Sequence, residues 1–298
     1  MEKKRIIAVG ILLAALAAVW LGVRQLSGTE QITHPALTIT ALSVGKADAL
    51  ILKTDDWAAM IDTGEERDGS YIRETLEAAG IDHLNLLLVT HFDKDHVGSA
   101  AELLGTVGAD QVLMPDYEGT RPEYAAFLSA LEGHPETEVQ RVTGTETLEI
   151  PVRTADGGQQ KAILTVYAAD NTAEIQDTDG EYDNDMSLVA KITCGERRFL
   201  FTGDIEKTRI SQMLDSGVDW TADWIKMPHH GRYQKKTEKL LEAVKPTYAV
   251  ICDAEEQPAE DEMMEALQKR KIYSWETENG LVETLTDGKK IEIRQENE

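Results

Sequence analysis

Four side chains of the kinds that bind metal ions lie within six consecutive positions of this chain. They are His91, Asp93, Asp95 and His96. An apolar run at 84–89 precedes them and predicts a buried strand, and residues 99–104 predict a short helix after them. We call residues 90–98 the ligand turn, because a rigid strand holds it while its loop is free to direct side chains. Since the two histidine–aspartate pairs can face two different points, their spacing indicates two metal ions rather than one.

Three later segments supply more side chains of the same kinds. One apolar strand pattern ends at Asp204, where a carboxylate can bridge two metal ions, although it can also cap the helix that follows. His229 and His230 stand side by side after another predicted strand, where neither is needed for packing. Asp185, just before a predicted strand, is a weaker candidate when it is taken alone.

The elements that must position these side chains fall into two β-rich halves, each of which carries helices. Apolar runs and alternating patterns predict strands at 37–44, 47–54, 57–63, 84–89, 111–114, 147–152, 162–167, 187–193, 198–202, 224–227, 247–252, 272–276 and 281–293. Helical periodicity and end signals predict helices at 71–79, 99–104, 121–131, 205–214, 237–244 and 258–271. This order suits two sheets packed face to face with helices on the outside.

The order of five short motifs resembles the metallo-β-lactamase superfamily. They are I-D-T-G at 61–64, T-H-x-D-x-D-H-x-G at 90–98, N-D-x-S at 184–187, L-F-T-G-D at 200–204 and P-H-H-G at 228–231. Over about residues 37–280, the chain looks most like the hydrolase domain of ComEC-type competence proteins, and more distantly like phosphorylcholine esterases. The resemblance implies an α/β fold (α+β by strict counting), built as a four-layer αββα sandwich with a binuclear metal site at one edge of the two sheets.

The same resemblance implies a role for each motif residue. The predicted metal ligands are His91, Asp93, Asp95, His96, Asp185, Asp204 and His230. The first two would bind one ion, the next two would bind the other, and Asp204 would bridge both. One of His229 and His230 would be the last ligand; we favour His230, which leaves His229 to contact the substrate phosphate. Asp95 would also orient the attacking water, and Asp62 would lie beneath the ligand turn and support it.

Two of these positions depart from the usual pattern of the superfamily. Asp93 stands where most members have histidine, and the next ligand of the family, usually histidine, falls near Asn184 and Asp185, where Asp185 would be its replacement. Because carboxylates prefer harder ions than imidazoles do, these two changes shift the expected metal from zinc toward manganese or iron. We expect two divalent ions, zinc or manganese, in a site that is not arranged for β-lactam hydrolysis.

Two such ions, roughly 3.5–4 Å apart, can activate a water molecule near neutral pH and stabilise both oxygens of a displaced ester. We therefore predict a metal-dependent hydrolase that acts on a phosphodiester. Nucleic acid, a choline or teichoic phosphodiester and a small nucleotide all fit this prediction. Two other classes stay open: a di-iron redox protein, and a non-enzymatic, membrane-tethered binding module with a decayed site. No protein partner can be inferred from the sequence.

The amino terminus predicts a membrane anchor. Basic side chains stand at positions 3–5, and residues 6–23 hold no charged side chain. We predict a signal anchor, or transmembrane helix, at 1–27, a linker at 28–36 and the hydrolase domain at 37–298. Positive charges stay inside, so the domain would lie outside the cytoplasm on the cell membrane, attached by a single span. Secretion after signal cleavage is the alternative.

The 298-residue chain is strongly acidic, with 30 basic and 54 acidic side chains and a formal net charge of −24. Its length suits one large α/β domain with an appendage. Such a charge is repelled by nucleic acid and by anionic lipid, unless metal ions or a local basic rim compensate. Lys235, Lys236 and Lys239, close to His229 in the sequence, are the candidates for that rim.

Overall fold

The computed structural model of the chain describes residues 31–154, 157–170, 175 and 182–295. One compact unit runs from His34 to Glu298, and the other, Met1–Thr33, lies almost wholly outside the described residues. Within the described part of the chain, no helix is both long and apolar enough to cross a membrane. The predicted anchor at 1–27 lies outside that part, and the domain boundaries stay predictions.

Fifteen strands among the described residues form two mixed sheets. The strands are β1 (Leu37–Ala41), β2 (Leu50–Lys53), β3 (Ala58–Ile61), β4 (Leu84–Leu88), β5 (Ala109–Pro115), β6 (Glu138–Val142), β7 (Thr145–Arg153), β8 (Gln159–Tyr167), β9 (Val189–Cys194), β10 (Arg197–Phe201), β11 (Trp224–Lys226), β12 (Tyr248–Ile251), β13 (Tyr273–Glu276), β14 (Val282–Thr286) and β15 (Ile291–Gln295). The first sheet has the order β15-β14-β1-β2-β3-β4-β5-β6, and the second has the order β13-β12-β11-β10-β9-β8-β7. Strands β3 to β6 are parallel to one another, as are β10 to β13, and the remaining neighbours are antiparallel.

Helices follow the strands in both halves of the chain. They are α1 (Gly69–Ala78), α2 (Lys94–Val97), α3 (Ala100–Thr106), α4 (Pro122–Gly133), α5 (Tyr182–Asp185), α6 (Lys207–Asp215), α7 (Thr237–Val244) and α8 (Asp261–Lys269). Helices α2 and α5 are single turns, and both lie in segments that carry candidate ligands. Short 3-10 turns are formed by Glu66–Asp68, Pro228–Gly231 and Thr277–Asn279.

Three apolar cores separate four layers of structure. The central core lies between the sheets and contains Leu88 of β4 together with Phe201 of β10 and Trp224 of β11. A second core packs α1, α3 and α4 on the first sheet, and a third packs α6, α7 and α8 on the second. Successive residues of one buried strand serve both faces, since Leu87 belongs to a helix-covered core and Leu88 to the central one. The layers follow the order helix, sheet, sheet, helix.

The structure confirms the mixed α/β arrangement of two sheets and corrects three element assignments. Strand β6 has no counterpart among the predicted strands. Most of its side chains are polar and incompletely buried, so the sequence shows no apolar run there. Residues 281–293, predicted as one strand, form the antiparallel pair β14 and β15. The strand predicted over 47–54 begins late, because the backbone N–H of Asp48 donates to the carbonyl oxygen of Asp95 and not to a neighbouring strand.

The ligand turn is held against the first sheet at Gly98. The backbone N–H of Gly98 donates to the carbonyl oxygen of Gly64 over 3.0 Å. A methyl group at position 98 would come within 2.5 Å of the backbone nitrogen of Glu66, and nearer still to the carbonyl oxygen of Lys94. Glycine is required here by space and not by conformation, because the φ angle of Gly98 is −54°.

We expect Gly98→Ala to lower the free energy of unfolding by about 1–3 kcal/mol, the usual cost of overpacking. The matched control is Gly105→Ala in α3, where a new methyl group meets no described atom within 4 Å. That control should be neutral or stabilise by up to about 1 kcal/mol, because alanine favours a helix. Urea denaturation measures both variants, and equal stabilities would contradict this packing of the ligand turn.

Candidate metal centre

The carboxyl ends of four strands deliver Asp62 and most of the candidate ligands. In the first sheet, β3 is followed by Asp62 and β4 by the ligand turn. In the second sheet, β10 is followed by Asp204 and β11 by His229 and His230. The two strands of each pair are parallel neighbours, so their carboxyl ends meet at the same edge of the sheet. Side chains from distant segments of the chain therefore meet in one buried place.

Asp62 orients the ring of His96. Its Oδ1 accepts a hydrogen bond from the backbone N–H of Thr90 at 2.7 Å. Its Oδ2 accepts from the Thr90 hydroxyl at 2.6 Å and from Nδ1 of His96 at 2.8 Å. Burial raises the pKa of Asp62, and the contacts with His96 and Thr90 oppose that rise. Because Nδ1 of His96 donates to the carboxylate, the lone pair of Nε2 points to the other side of the ring.

The carbonyl oxygen of Cys252 orients His230 in the same way. Nδ1 of His230 donates to it over 2.8 Å. Nε2 then lies 3.2 Å from Oδ2 of Asp204 and 3.4 Å from Oδ2 of Asp95. The turn that carries this ring is strained, because His229 and His230 have φ angles of 47° and 53°. Residues other than glycine seldom adopt such angles, and they cluster at functional sites.

Asp204 lies between the imidazole rings. Its Oδ1 is 3.3 Å from Nε2 of His96, and its Oδ2 faces His230. The ring of His91 packs 4.0 Å from the ring of His96, with its Nε2 3.9 Å from Oδ2 of Asp93. Apart from the partly exposed Asp93, these side chains are buried. Three imidazoles and the carboxylates around them therefore converge on one place.

The three rings share one feature that tests whether the site fits a metal ion. The Nε2 atoms of His91, His96 and His230 are buried and have no hydrogen-bond partner among the described residues. A buried polar atom without a partner costs about 1–3 kcal/mol, so three of them in one place call for a partner from outside the chain. A divalent cation is the partner that imidazole lone pairs and carboxylate oxygens bind in common. The residues present therefore fit a metal centre.

A compact group of four buried side chains occupies the middle of this region. Its members are Asp48, His96, Asp204 and His230, whose ligand-type atoms lie within 4.8 Å of one another. Asp48 faces the opposite edges of the rings, since its oxygens lie 3.5 Å from Nδ1 of His230 and 3.8 Å from Nδ1 of His96. Those Nδ1 atoms already donate to Cys252 and Asp62. Lone pairs for a metal ion are therefore available on the Nε2 side, which Asp204 faces.

The carboxylates set the electrostatics of the cluster. Burial lowers the pKa of His91 well below its ordinary value, so this ring stays neutral. Burial acts in the same direction on His230, but Asp204 and Asp95 raise its pKa to about 9. Burial likewise acts to raise the pKa of Asp204, yet His230 and His96 hold it well below its ordinary value. Against the effect of burial, Asp204 and Asp62 likewise raise the pKa of His96 well above its ordinary value. In the metal-free protein the rings of His96 and His230 therefore hold a proton that a divalent cation would displace in order to bind Nε2.

The two predicted ligands that depart from the superfamily pattern have other contacts. Asp93 has a quarter of its side chain exposed, and its Oδ1 lies 3.3 Å from Nε of Arg121. Asp185 is buried, and its Oδ1 accepts hydrogen bonds from the backbone N–H groups of Glu206 and Arg209, both at 3.0 Å. Oδ1 of Asp185 therefore holds the start of α6. Its Oδ2 is buried without a hydrogen-bond partner among the described residues, and the role of Asp185 as a metal ligand stays a prediction.

Two carboxylates near the site lie outside the predicted set. Burial, followed by the negative charge of Asp93, raises the pKa of Asp183 to about 6, so these two carboxylates are close enough to repel each other. Glu206 accepts a hydrogen bond from Nδ1 of His229 at 2.8 Å. Neither residue stands at a motif position, and both lie in polar stretches that offer no signal in the sequence.

Asp48 and Lys226 are two further residues of the site that the sequence motifs do not predict. Nζ of Lys226 forms an ion pair with Asp48 and lies 3.4 Å from Oδ1 of Asp204. Burial acts to lower the pKa of Lys226, but Asp48 and Asp204 raise it above its ordinary value. The available signal was a charged residue inside each of two apolar runs, A-D-A-L-I-L at 47–52 and W-I-K-M at 224–227.

Comparison with known proteins identifies the family of this chain. The family model of the metallo-β-lactamase superfamily matches residues 42–252. Two curated relatives are ComE operon protein 3 of Bacillus subtilis, 27% identical over 178 residues, and Recombination protein 2 of Haemophilus influenzae, 22% identical over 258 residues. The alignments cover 59% and 85% of this chain, but only 21% and 29% of those proteins. This chain therefore spans less than a third of the length of either relative.

Among solved structures, a mutant of the β-hydroxylase CmlA is 14% identical, with a TM-score of 0.50. The alignment covers 81% of this chain and 52% of that chain, and it shows a likeness of fold alone. The two curated relatives confirm the resemblance to ComEC-type competence proteins. Because the family match spans well over half of the 298 residues, the chain belongs to the metallo-β-lactamase superfamily.

Proposed function

We propose that this metal-dependent hydrolase cleaves a phosphodiester with the help of two divalent ions, zinc or manganese. The observation that carries the proposal is the convergence of three buried Nε2 atoms, unpartnered among the described residues, with the carboxylates of Asp204 and Asp95. When bound, two such ions supply a water molecule that is acidic near neutral pH and offset charge on the displaced ester oxygens. A phosphodiester carries negative charge on its phosphoryl oxygens and so suits a cationic centre better than a neutral ester does.

The proposed ligands form two groups joined by Asp204. They are His91 and Asp93 for one ion, and Asp95, His96 and His230 for the other. Asp185 and Asp183 are both candidates to complete the first group. Oδ2 of Asp185 is buried without a hydrogen-bond partner among the described residues, and burial together with the charge of Asp93 raises the pKa of Asp183. This carboxylate-rich set supports manganese over zinc.

His229 is the side chain that we propose to contact the substrate. Its Nδ1 donates to Oε1 of Glu206 at 2.8 Å, and the same oxygen accepts from Nη1 of Arg232 at 2.9 Å. These contacts keep Nε2 of His229 toward the cluster, 3.9 Å from Oδ2 of Asp204, with 15% of the side chain exposed. With both ring nitrogens protonated, His229 can donate a hydrogen bond or a proton from Nε2 to a phosphodiester oxygen, while Asp95 orients the attacking water.

Nucleic acid is the substrate class that we favour over choline or teichoic phosphodiesters and small nucleotides. One relative is named Recombination protein 2, and recombination is a process that acts on nucleic acid. The net charge of −24 opposes the binding of a long polyanion, so cations near the site must compensate. Arg232, Lys235 and Lys239 follow His229 in the chain and are exposed.

Two other functions fit the observations less well. A non-enzymatic, membrane-tethered binding module would not need to keep buried imidazole nitrogens and carboxylates together at three strand ends. A di-iron redox protein would share the donor set, but the likeness to the β-hydroxylase CmlA, at 14% identity, concerns the fold alone. The hydrolase is therefore the better account of the site.

We also propose that the catalytic domain lies outside the cytoplasm and that residues 1–27 attach it to the cell membrane. The support is the charge pattern, because basic residues at 3–5 precede the uncharged residues 6–23.

We expect His230→Ala to lose one metal ion per chain, because it removes a proposed ligand. His229→Ala should keep both ions and slow hydrolysis by roughly 10²–10⁴-fold, the usual contribution of a general acid. Elemental analysis of the purified variants measures the metal content. A panel of DNA, choline and nucleotide phosphodiesters, with and without chelator, measures the rates.

His134→Ala is the matched control, because this histidine pairs with the exposed Glu136 and should change neither quantity. Loss of a metal ion from His229→Ala but not from His230→Ala would reverse their proposed roles. Unchanged metal content in both variants, together with hydrolysis that survives the chelator, would contradict a metal-dependent phosphodiesterase.

The topology makes a separate prediction. A protease added to intact cells should digest the domain at 37–298 and leave a cytoplasmic control protein whole. Immunoblotting of the treated cells measures this difference. Full protection of the domain would contradict the proposed orientation, and release of the domain into the medium would indicate cleavage of the anchor.

A further inference from the structure

A lysine lies inside the metal centre. The side chain of Lys226, on β11, is 1% exposed, and its Nζ forms an ion pair with Oδ2 of Asp48. The same Nζ donates to the carbonyl oxygen of Gly203 at 3.1 Å and lies 3.4 Å from Oδ1 of Asp204. Removing an ammonium group from water is costly unless several oxygens replace the water, and here three do so. Lys226 is therefore a fixed positive charge beside the carboxylate that we place between the two ions.

Asp48 ties this lysine to the rest of the site. The backbone N–H of Asp48 donates to the carbonyl oxygen of Asp95 at 3.0 Å, and its own carbonyl oxygen accepts from Gly64 at 2.8 Å. Its carboxylate lies behind the ring of His230, 3.5 Å from Nδ1. The segment is thus held from both sides by protein groups alone. Asp48 is therefore in place to pair with Lys226 whether or not a metal ion is present.

A role for Asp48 as a direct metal ligand fits the geometry less well. The two Nδ1 atoms that face Asp48 already donate to Asp62 and Cys252, so they offer no lone pair on that side. The ammonium group of Lys226 lies against the carboxylate of Asp48 and would repel a divalent cation placed there. Asp48 therefore acts on the site through Lys226.

We propose that Lys226, paired with Asp48, is a positioning residue that holds Asp204 in its bridging place before any metal ion binds. The inference rests on the proposed function, because it takes Asp204 as the carboxylate shared by both ions. Without Lys226, the buried carboxylates of Asp48 and Asp204 would repel each other in the metal-free protein. Bound metal ions would offset part of the same negative charge, so the contribution of Lys226 to stability is largest when metal is absent.

The test compares thermal unfolding of the full chain in excess EDTA and in excess manganese chloride. Lys226→Met removes the charge and keeps the length of the side chain. It should lower the Tm of the metal-free protein by roughly 10 °C, as expected for a broken buried ion pair in a domain of this size. Manganese should restore most of that loss, so the rise in Tm on adding manganese is larger for Lys226→Met than for the wild type.

Two further variants separate charge from packing. Asp48→Asn combined with Lys226→Met removes both members of the ion pair, so it should recover most of the metal-free Tm that Lys226→Met loses. If Lys226→Met fails to fold without metal, the Tm of this double variant in EDTA and in manganese chloride is compared with that of the wild type instead. Lys191→Met removes another buried lysine, whose Nζ donates to the backbone oxygen of Asp219 outside the metal centre. Its Tm should fall equally with and without manganese.

Equal losses of Tm for Lys226→Met in EDTA and in manganese would overturn the inference, because packing alone would then explain the effect. A double variant that recovers no stability, or a wild-type Tm that does not respond to manganese, would overturn it as well. A wild-type protein whose Tm rises with manganese but that cleaves no phosphodiester would contradict the proposed function and leave the expected result for Lys226 intact.

Discussion

The need for positive charge at the buried junction of the two sheets governs the rest of the site. Three imidazole Nε2 atoms meet there without a hydrogen-bond partner among the described residues, and the buried carboxylate of Asp204 lies between two of the rings. Neither kind of group is stable in a protein interior without a partner. The hydrogen bonds from His96 to Asp62 and from His230 to Cys252 serve the same need, because they turn each Nε2 lone pair toward the junction.

That need also explains features of the fold that apolar packing does not. Left-handed backbone at Asp62, His229 and His230 costs conformational energy, and each of these residues directs a side chain toward the cluster. The strained residues follow β3 and β11, each beside a parallel neighbour, so the apolar strands themselves stay regular. Lys226 supplies a fixed positive charge where the two sheets meet, and bound divalent ions would supply the rest.

How much of the site the sequence predicts depends on how far apart along the chain the interacting residues lie. Motif residues at strand ends form local patterns, and parallel strands bring their carboxyl ends together, so most of the predicted ligands do meet. Asp48 and Lys226 pair from opposite halves of the chain, and no local spacing relates them. Asp185 illustrates a different limit, because its Oδ1, at the end of the single turn α5, accepts hydrogen bonds from the backbone at the start of α6. Motif order does not show whether such a carboxylate binds a metal ion or holds the backbone of a neighbouring helix.

Anomalous diffraction from crystals grown with manganese, and separately with zinc, tests the central claim most directly. We predict two peaks on the Nε2 side of the rings, roughly 3.5–4 Å apart, with Asp204 between them and His230 bound to one. A single peak on the Nδ1 side, between Asp48 and the rings, would contradict the proposed centre. The absence of any peak at the absorption edge of either metal would contradict it as well.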